Sequence, residues 1–404
     1  MHLKSVSGAL GCLIFTGLVL AYASSPVNII VFPLNGDPPN SKFAWIGDGI
    51  ALSLSEQLAG RSVKTIDDGE RTALVESIDL PPRAPLSRGS MIRVAQRASA
   101  DLAVMGSYSG AEQNLKITIR VLDVKGLRLS GDMAANGPLS ALPQMENELA
   151  WMVLTNMGLE AASSREKFQQ RARKIPNSAY AFFVQSAGAA NDIAQLNLLL
   201  KAVGVYRDFP QAQFQIGRLY YHGGDYADAI PHLILASSNA GMASECNFML
   251  ANCYLQKDQI QQAMQAYSQA LQLSRRPEVL NNLGVAHLRR GDTEIALSML
   301  LDARSLARTD ATVSLNLAIA RHIQGNDRAA AAVLEEAVKL HPQNGMLQFV
   351  WSFLLKAQGQ EERAAETASR ARNLGIHVDK LQMDDPKSWS RPLLTWSSNW
   401  ESDR

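Results

Sequence analysis

Asn281-Asn-Leu-Gly-Val-Ala-His287, followed by Gly291-Asp292 and Ala296, recurs in altered form five times, and its reading decides the fold. The small residue Gly284 aligns with Gly217, Ala251, Ala318 and Ser352, at intervals of 34, 33, 34 and 34 residues. A second set, Ala229, Ala263, Ala296, Ala330 and Ala364, opens the second half of each copy, with Ala236, Ala270, Ala303, Ala337 and Ala371 two turns further on. Small side chains at helical spacing let two helices approach closely. Larger groups fill the space between them: Ile216, Leu250, Leu283, Leu317 and Trp351, then Leu233, Tyr267, Leu300 and Leu334. Gly224, Gly291, Gly325 and Gly359 mark the reversal within four copies, where glycine accepts backbone angles that other residues avoid; Asp258 stands there in the second. Five copies in phase predict five helix pairs rather than a bundle with accidental alanine periodicity: 210–243, 244–276, 277–310, 311–344 and 345–378.

This pattern resembles the tetratricopeptide repeat, and the copy beginning at Asn281 is the cleanest. Departures are local. His287 and Arg321 stand where the family prefers an aromatic or aliphatic residue, only Pro342 closes a copy with the usual proline, and Pro231 lies near the start of a second helix. One helix pair cannot bury its apolar face alone, so the copies are expected to stack into an all-α, right-handed solenoid whose first helices line a concave side.

The segment 24–158 follows a different grammar. Val27-Asn-Ile-Ile-Val-Phe-Pro-Leu34 is a buried-strand run, and Ile46, Ile50, Leu54 and Leu58 have helical spacing within 43–58. A second strand is expected at 62–66, helices at 70–78 and 91–98, a hairpin from 101–108 and 115–123 with an edge at 127–130, and a closing helix at 138–157. The whole is an α+β multidomain chain: an α/β domain of about 130 residues, large enough for its own core, and then the solenoid. Ile29-Ile-Val-Phe-Pro-Leu34, Trp45-Ile-Gly-Asp-Gly-Ile-Ala51, Ala100-Asp-Leu-Ala-Val-Met-Gly-Ser-Tyr108 and Ile117-Thr-Ile-Arg-Val-Leu-Asp123 resemble the N-terminal domain of TolB and related domains that precede tetratricopeptide repeats in bacterial envelope proteins. The resemblance covers about a quarter of the chain and implies contacts within the cell envelope without catalysis. Between the two parts, 159–209 reads as a helical connector and a degenerate helix pair that caps the repeats.

The first 23 residues carry Lys4 and an apolar run from Ala9 to Ala23 that ends in Ala21-Tyr22-Ala23. A run of 15 residues is short for a membrane span, so residues 1–23 read as a cleaved signal peptide, and the mature chain is expected in the periplasm or secreted; an uncleaved, tethering anchor is the alternative. Cys12 lies inside the run, with too few apolar residues before it for a lipoprotein signal. Cys246 and Cys253 fall seven residues apart on one expected helix, about 10.5 Å between Cα atoms. That exceeds the ~7 Å limit for a disulfide, so both are expected as buried thiols. With 39 basic and 38 acidic residues the chain is almost neutral and shows no basic stripe with interleaved aromatics, which argues against nucleic acid as a partner.

Motifs for catalysis are weak throughout. Gly47-Asp-Gly49 lacks the Lys-Ser/Thr pair of a phosphate loop and reads as a turn at a helix start. Gly106-Ser-Tyr-Ser-Gly110 has Tyr108 where a nucleophile elbow needs serine. His222 and His232 sit on opposite helices of a pair at no metal-ligand spacing, and Asp67-Asp68 reads as a helix cap. No catalytic residue, metal or cofactor is therefore expected.

Function is then expected from the repeat surface. The positions that face the groove in the family hold Phe214, Arg218, Tyr221 and His222, then Phe248, Asn252 and Leu255, then Asn281, Val285, Leu288 and Arg289, then Leu315, Ile319 and His322, and finally Phe349 and Phe353. Asn252, Asn282 and Asn316 supply the amides that some relatives use to grip a terminal carboxylate, but Phe248 and Thr312 stand where the basic groups belong. An apolar, aromatic groove suits an amphipathic helix or extended apolar segment of a protein or peptide partner. The 379–404 tail departs from the repeat yet holds Trp389, Trp396 and Trp400, which mark it as an anchor that packs on the last repeat or in the groove. The expectation is a non-catalytic exported scaffold whose α/β domain docks to another envelope component; the alternative is a sensory module holding a small ligand in the α/β domain.

Overall fold

The computed structural model describes residues 26–37, 43–60, 62–158 and 164–376. The signal segment at 1–23 and the tail at 379–404, with Trp389, Trp396 and Trp400, lie outside the described residues. Two compact units divide the chain after Tyr206. No helix among the described residues is long and apolar enough to cross a membrane.

The first unit is built on a sheet of seven strands: β1 (Val27–Val31), β2 (Asn35–Asp37), β3 (Val63–Thr65), β4 (Leu102–Ser109), β5 (Leu115–Asp123), β6 (Arg128–Leu129) and β7 (Met133–Gly137). Its helices are α1 (Trp45–Leu58), α2 (Asp68–Glu76), α3 (Arg88–Arg97), α4 (Leu142–Asn156), α5 (Arg165–Gln169), α6 (Asn177–Ser186) and α7 (Asp192–Val205). β1 runs parallel to β3 on one side and to β4 on the other, and β4 pairs antiparallel with β5 from Leu102↔Asp123 to Ser109↔Lys116. β2 continues the line of β1 beside the far half of β4, at Asn35↔Ser107, and β7 flanks β5 at Ile117↔Ala135. Neither β2 nor β7 is expected from sequence. Asn-Gly-Asp and Met-Ala-Ala-Asn-Gly contain no β-branched or aromatic residue, and they are strands because β4 and β5 offer open edges.

The alternation of a strand sorts the core. Ile30, Phe32, Ala103, Met105 and Leu122 pack with Val75, Met91 and Val94 from α2 and α3. Ile29, Val31 and Val104, one residue out of phase, are fully buried and belong to the other face, where α1 and α4 pack on the sheet and on each other. The glycines of the two rejected motifs are packing requirements. A Cβ on Gly47 would stand 2.1 Å from the carbonyl oxygen of Leu34, and one on Gly106 would stand 2.1 Å from that of Thr118. The first turn of α1 thus rests directly on the backbone that leaves β1.

The α6–α7 pair lies in the first unit by contact. Tyr180 of α6 donates its hydroxyl hydrogen to the Gly49 carbonyl at 2.9 Å and meets Trp45 edge to face at 6.3 Å. Ahead of it, Arg173 donates Nε to Oε2 of the fully buried Glu146 at 3.0 Å, bonds the Ile175 carbonyl and Asn177, and lies over the Tyr180 ring at 4.0 Å. Ser53 of α1 adds a hydroxyl donor to the same carboxylate oxygen at 2.9 Å. One buried ion pair therefore ties the connector to α1 and α4.

The second unit is five helix pairs: α8 (Pro210–Gly223) and α9 (Tyr226–Ala236), α10 (Ala243–Gln256) and α11 (Ile260–Leu273), α12 (Pro277–Arg290) and α13 (Thr293–Leu306), α14 (Ala311–Ile323) and α15 (Asp327–Leu340), α16 (Gly345–Ala357) and α17 (Glu361–Asn373). Each second helix packs on the next first helix, and successive first helices also touch, which is the stacking of a solenoid. The aligned small residues sit at the tightest crossings: a Cβ on Gly217 would come 2.7 Å from Leu233 Cγ, and one on Gly284 2.8 Å from Leu300 Cγ. Gly224, Gly291, Gly325 and Gly359 take φ of 83°, 95°, 84° and 75°, and Asp258 holds the same left-handed turn at 58°. Asp is among the few residues that tolerate it.

Replacing Arg173 with alanine leaves the Glu146 carboxylate buried without a cation and should cost the first unit about 3–5 kcal/mol in urea denaturation. Burial already raises the Glu146 pKa from its ordinary 4.5, with Arg173 opposing the shift. An acid whose folded-state pKa is raised is favourable while protonated and loses that contribution as pH rises. The deficit of the variant should therefore widen as pH is increased above about 4.5.

Candidate functional site

The first helices carry the residues expected to line a groove, and their exposure divides them sharply. Phe248, Asn252, Leu255, Asn281, Val285, Leu315, Ile319 and Phe349 are buried, none more than 4% exposed. In α12 every residue from Glu278 to His287 is buried, so the helix is enclosed on all sides through the middle of the array. Phe214, Arg218 and Tyr221 in α8, Leu288 and Arg289 in α12, His322 in α14 and Phe353 in α16 stay partly open, and His222 is exposed. The open positions gather at the first pair and then along the carboxyl ends of the later first helices, beside the turns. The face available to a partner is this edge rather than a continuous trough.

The buried amides are committed to one another. Asn252 donates Nδ2 to the Tyr221 hydroxyl at 3.0 Å, while its Oδ1 accepts from the Tyr267 hydroxyl at 2.5 Å and from Asn282 Nδ2 at 2.9 Å. Asn281 Nδ2 donates to Asn282 Oδ1 at 3.0 Å, and Asn316 Nδ2 donates to Asn281 Oδ1 at 2.9 Å. This ladder runs through four repeats. Burial pushes the Tyr221 and Tyr267 hydroxyls above their ordinary range, which keeps both neutral as ladder members.

Polar groups at the open edge also have structural partners. Arg289 Nη1 donates to the Leu255 carbonyl at 2.7 Å, closing the end of α10 from the next repeat. His322 bonds Asp327 through Nδ1 and meets Phe353 edge to face at 5.3 Å. Tyr221 packs edge to face on Tyr226 at 5.9 Å. Arg276 lies over the Phe248 ring at 5.2 Å and pairs with Glu245 at 2.9 Å, so the basic group at this point in the array serves Phe248.

Cys246 and Cys253 share α10 as free, buried thiols, and desolvation pushes each pKa up to about 12, so neither is a nucleophile at neutral pH. His222 and His232 fall on α8 and α9; His232 Nδ1 bonds Gln213, and burial lowers its pKa. Asp67 caps α2, its side chain accepting from the Glu70 amide at 2.8 Å. Among the described residues no three His, Cys, Asp or Glu side chains gather as a metal site. In the first unit, Asp48, Asp68, Arg71 and Arg83 line one cleft, a grouping of separate segments that no single stretch of sequence displays.

Residues 214–278 and 281–345 match the family model described as tetratricopeptide repeat. These are tetratricopeptide repeats. No curated protein matches the chain in sequence. Solved structures similar to it include YrrB, described as a TPR protein with an unusual peptide-binding site, at 15% identity and TM-score 0.37 over 44% of this chain and 93% of YrrB. MamA is similar at 17% identity and TM-score 0.36, over 40% of this chain and 94% of MamA. The C-terminal part of a TPR repeat-containing protein from Cytophaga hutchinsonii is similar at 16% identity and TM-score 0.40, over 49% of this chain and 78% of its own.

Replacing Asn252 with alanine orphans the buried Tyr267 hydroxyl and an Asn282 donor, and should cost about 1–3 kcal/mol for each group left without a partner. In a double-mutant cycle, Asn252→Ala combined with Tyr267→Phe should cost less than the sum of the single changes, since the second removes a donor that the first strands. Additive losses in urea denaturation would show that the ladder is not a coupled network.

Proposed function

We propose that the chain is a non-catalytic exported scaffold that binds a protein or peptide through its repeats, while a TolB-N-terminal-like first unit docks to another envelope component. The observation that carries this reading is the set of side chains on the first helices that stay partly exposed, Phe214, Tyr221, Leu288 and Phe353, of which Tyr221 and Leu288 hold the same position in their repeats. Aromatic and aliphatic side chains held on rigid helices present apolar area at low entropic cost, and an amphipathic helix or extended apolar segment is the matching ligand. On this reading residues 1–23 are an export leader and binding occurs in the periplasm or outside the cell, an uncleaved tethering anchor being the alternative.

Capture of partners from an envelope extract by the whole chain tests the face. Phe214→Ser, Leu288→Ser and Phe353→Ser, each with an unchanged melting temperature, should reduce capture by about ten-fold or more. Leu306→Ser, at the exposed end of α13, should leave it intact. Loss confined to Leu306→Ser would move the binding face to the second helices.

The tail at 379–404 is the candidate occupant in cis, anchored by Trp389, Trp396 and Trp400 on the end of the array that a solenoid must cover. Removing residues 380–404 should lower the melting temperature or the solubility of the chain. An unchanged value for both would leave the tail without that role.

A further inference from the structure

The first unit contains a cleft of about 800 Å³ whose position follows from the topology. After β1 and its short continuation β2 the chain passes through α1 to β3 on one side, and after β3 it passes through α2 and α3 to β4 on the other side of β1. The connections diverge at the β1–β4 border, and the space outside the carboxyl ends of such strands is where open α/β sheets hold ligands. Leu34 and Tyr108 line the cleft at that end of the sheet, together with Asp48 near the start of α1, Asp68 and Arg71 at the start of α2, and the Pro82–Leu86 loop.

The charged groups here divide into a committed and an uncommitted set. Arg71 is buried; its Nη1 donates to the Val31 carbonyl at 2.9 Å and its Nη2 pairs with Asp68 Oδ1. Arg83 stands 3.7 Å from Asp48 Oδ2 and 3.7 Å from Asp68 Oδ2, beyond hydrogen-bond distance from either. Among the described residues the Asp48 carboxylate, Asp68 Oδ2 and the Arg83 guanidinium form no hydrogen bond. Burial raises the Asp48 pKa against the opposing pull of Arg83 and Arg71, the mark of a carboxylate short of partners.

We propose that this cleft binds a small zwitterion of amino-acid or dipeptide size, its ammonium between Asp48 and Asp68 and its carboxylate on Arg83. The charge balance selects this class. Two carboxylates and two guanidiniums are neutral together, so a ligand that brings one charge of each sign lets Asp48, Asp68 Oδ2 and Arg83 exchange their 3.7 Å ion pairs for hydrogen-bonded ones while the Arg71–Asp68 pair stays in place. A simple anion meets the repulsion of Asp48 and Asp68, and a simple cation or metal ion meets that of Arg71 and Arg83. Pro33, Leu34, Pro82, Pro85 and Leu86 give the remaining wall an apolar character, which suits an aliphatic side chain on the ligand. The inference is independent of partner binding by the repeats.

Titration calorimetry on the full chain with L-leucine and with the dipeptide Leu-Leu tests it, and the two arms separate a free amino acid from a peptide. At least one of the two should bind. N-acetylation, which removes the ammonium, and amidation, which removes the carboxylate, should each weaken that ligand by about ten-fold or more. Asp48→Asn and Arg83→Gln should do the same while leaving the melting temperature of the unliganded protein in place, and Asp48→Glu should recover part of the affinity. Arg83 sits on a loop and makes no hydrogen bond, so its variant remains informative if Asp48→Asn fails to fold. No heat from either zwitterion at about 10 mM, or equal binding of the blocked and free forms, overturns the proposal.

Discussion

The first and third repeats turn on one contact, a large side chain of the second helix seated over a small residue of the first. Leu233 over Gly217 and Leu300 over Gly284 leave no room for a Cβ, which sets the separation of the two helices and the depth to which each pair nests on the next. In the second repeat Tyr267 holds the sequence position of Leu233 and Leu300, and the change brings a hydroxyl into a fully buried site. A buried phenol needs a hydrogen-bond partner, and Asn252 supplies one. Asn282, Asn281 and Asn316 then satisfy one another in turn, so one exchange of leucine for tyrosine at the pivot is linked to a polar core spanning four repeats.

That ladder explains why the middle of the array is closed. Amides that could have faced a peptide are turned inward and bonded across repeats, and Phe248 and Phe349 fill the positions beside them as core. Side chains nearer the turns have fewer neighbours and stay partly open, as Leu288 and His322 do. The edge is backed by groups fixed by burial and by Arg289 reaching back to the Leu255 carbonyl.

The repeats were legible because each of their residues meets the same surroundings five times, and the small–large alternation needs nothing beyond its own helix pair. Groove exposure was not legible, since whether Phe248 or Leu315 faces solvent is decided by residues about 33 positions away in the neighbouring repeats. In the first unit the hydrophobic runs marked β1, β4 and β5, whereas β2 and β7 owe their pairing to open edges and carry no pattern of their own. The cleft was hidden for a related reason. Asp48 and Asp68 each read as ordinary carboxylates of a helix's first turn, and Arg83 as a loop residue, until the sheet brings the three segments together.

The ladder also has an end. Val350 stands in the fifth repeat at the position that Asn316 and Asn282 hold in the two before it, and with it the polar linkage stops. The last pair packs on its neighbour through apolar residues including Leu347, Leu354, Leu315 and Ile319, with one Gln358 Nε2 bond to the Asp327 carbonyl at 3.1 Å, and Ile376 lies over Gly345. Apolar contacts lack direction and tolerate sliding, while hydrogen bonds between amides hold a register. The first four repeats therefore share a hydrogen-bonded register that the fifth does not extend, and the seating of α16 and α17 on α15 is set chiefly by the fit of apolar side chains.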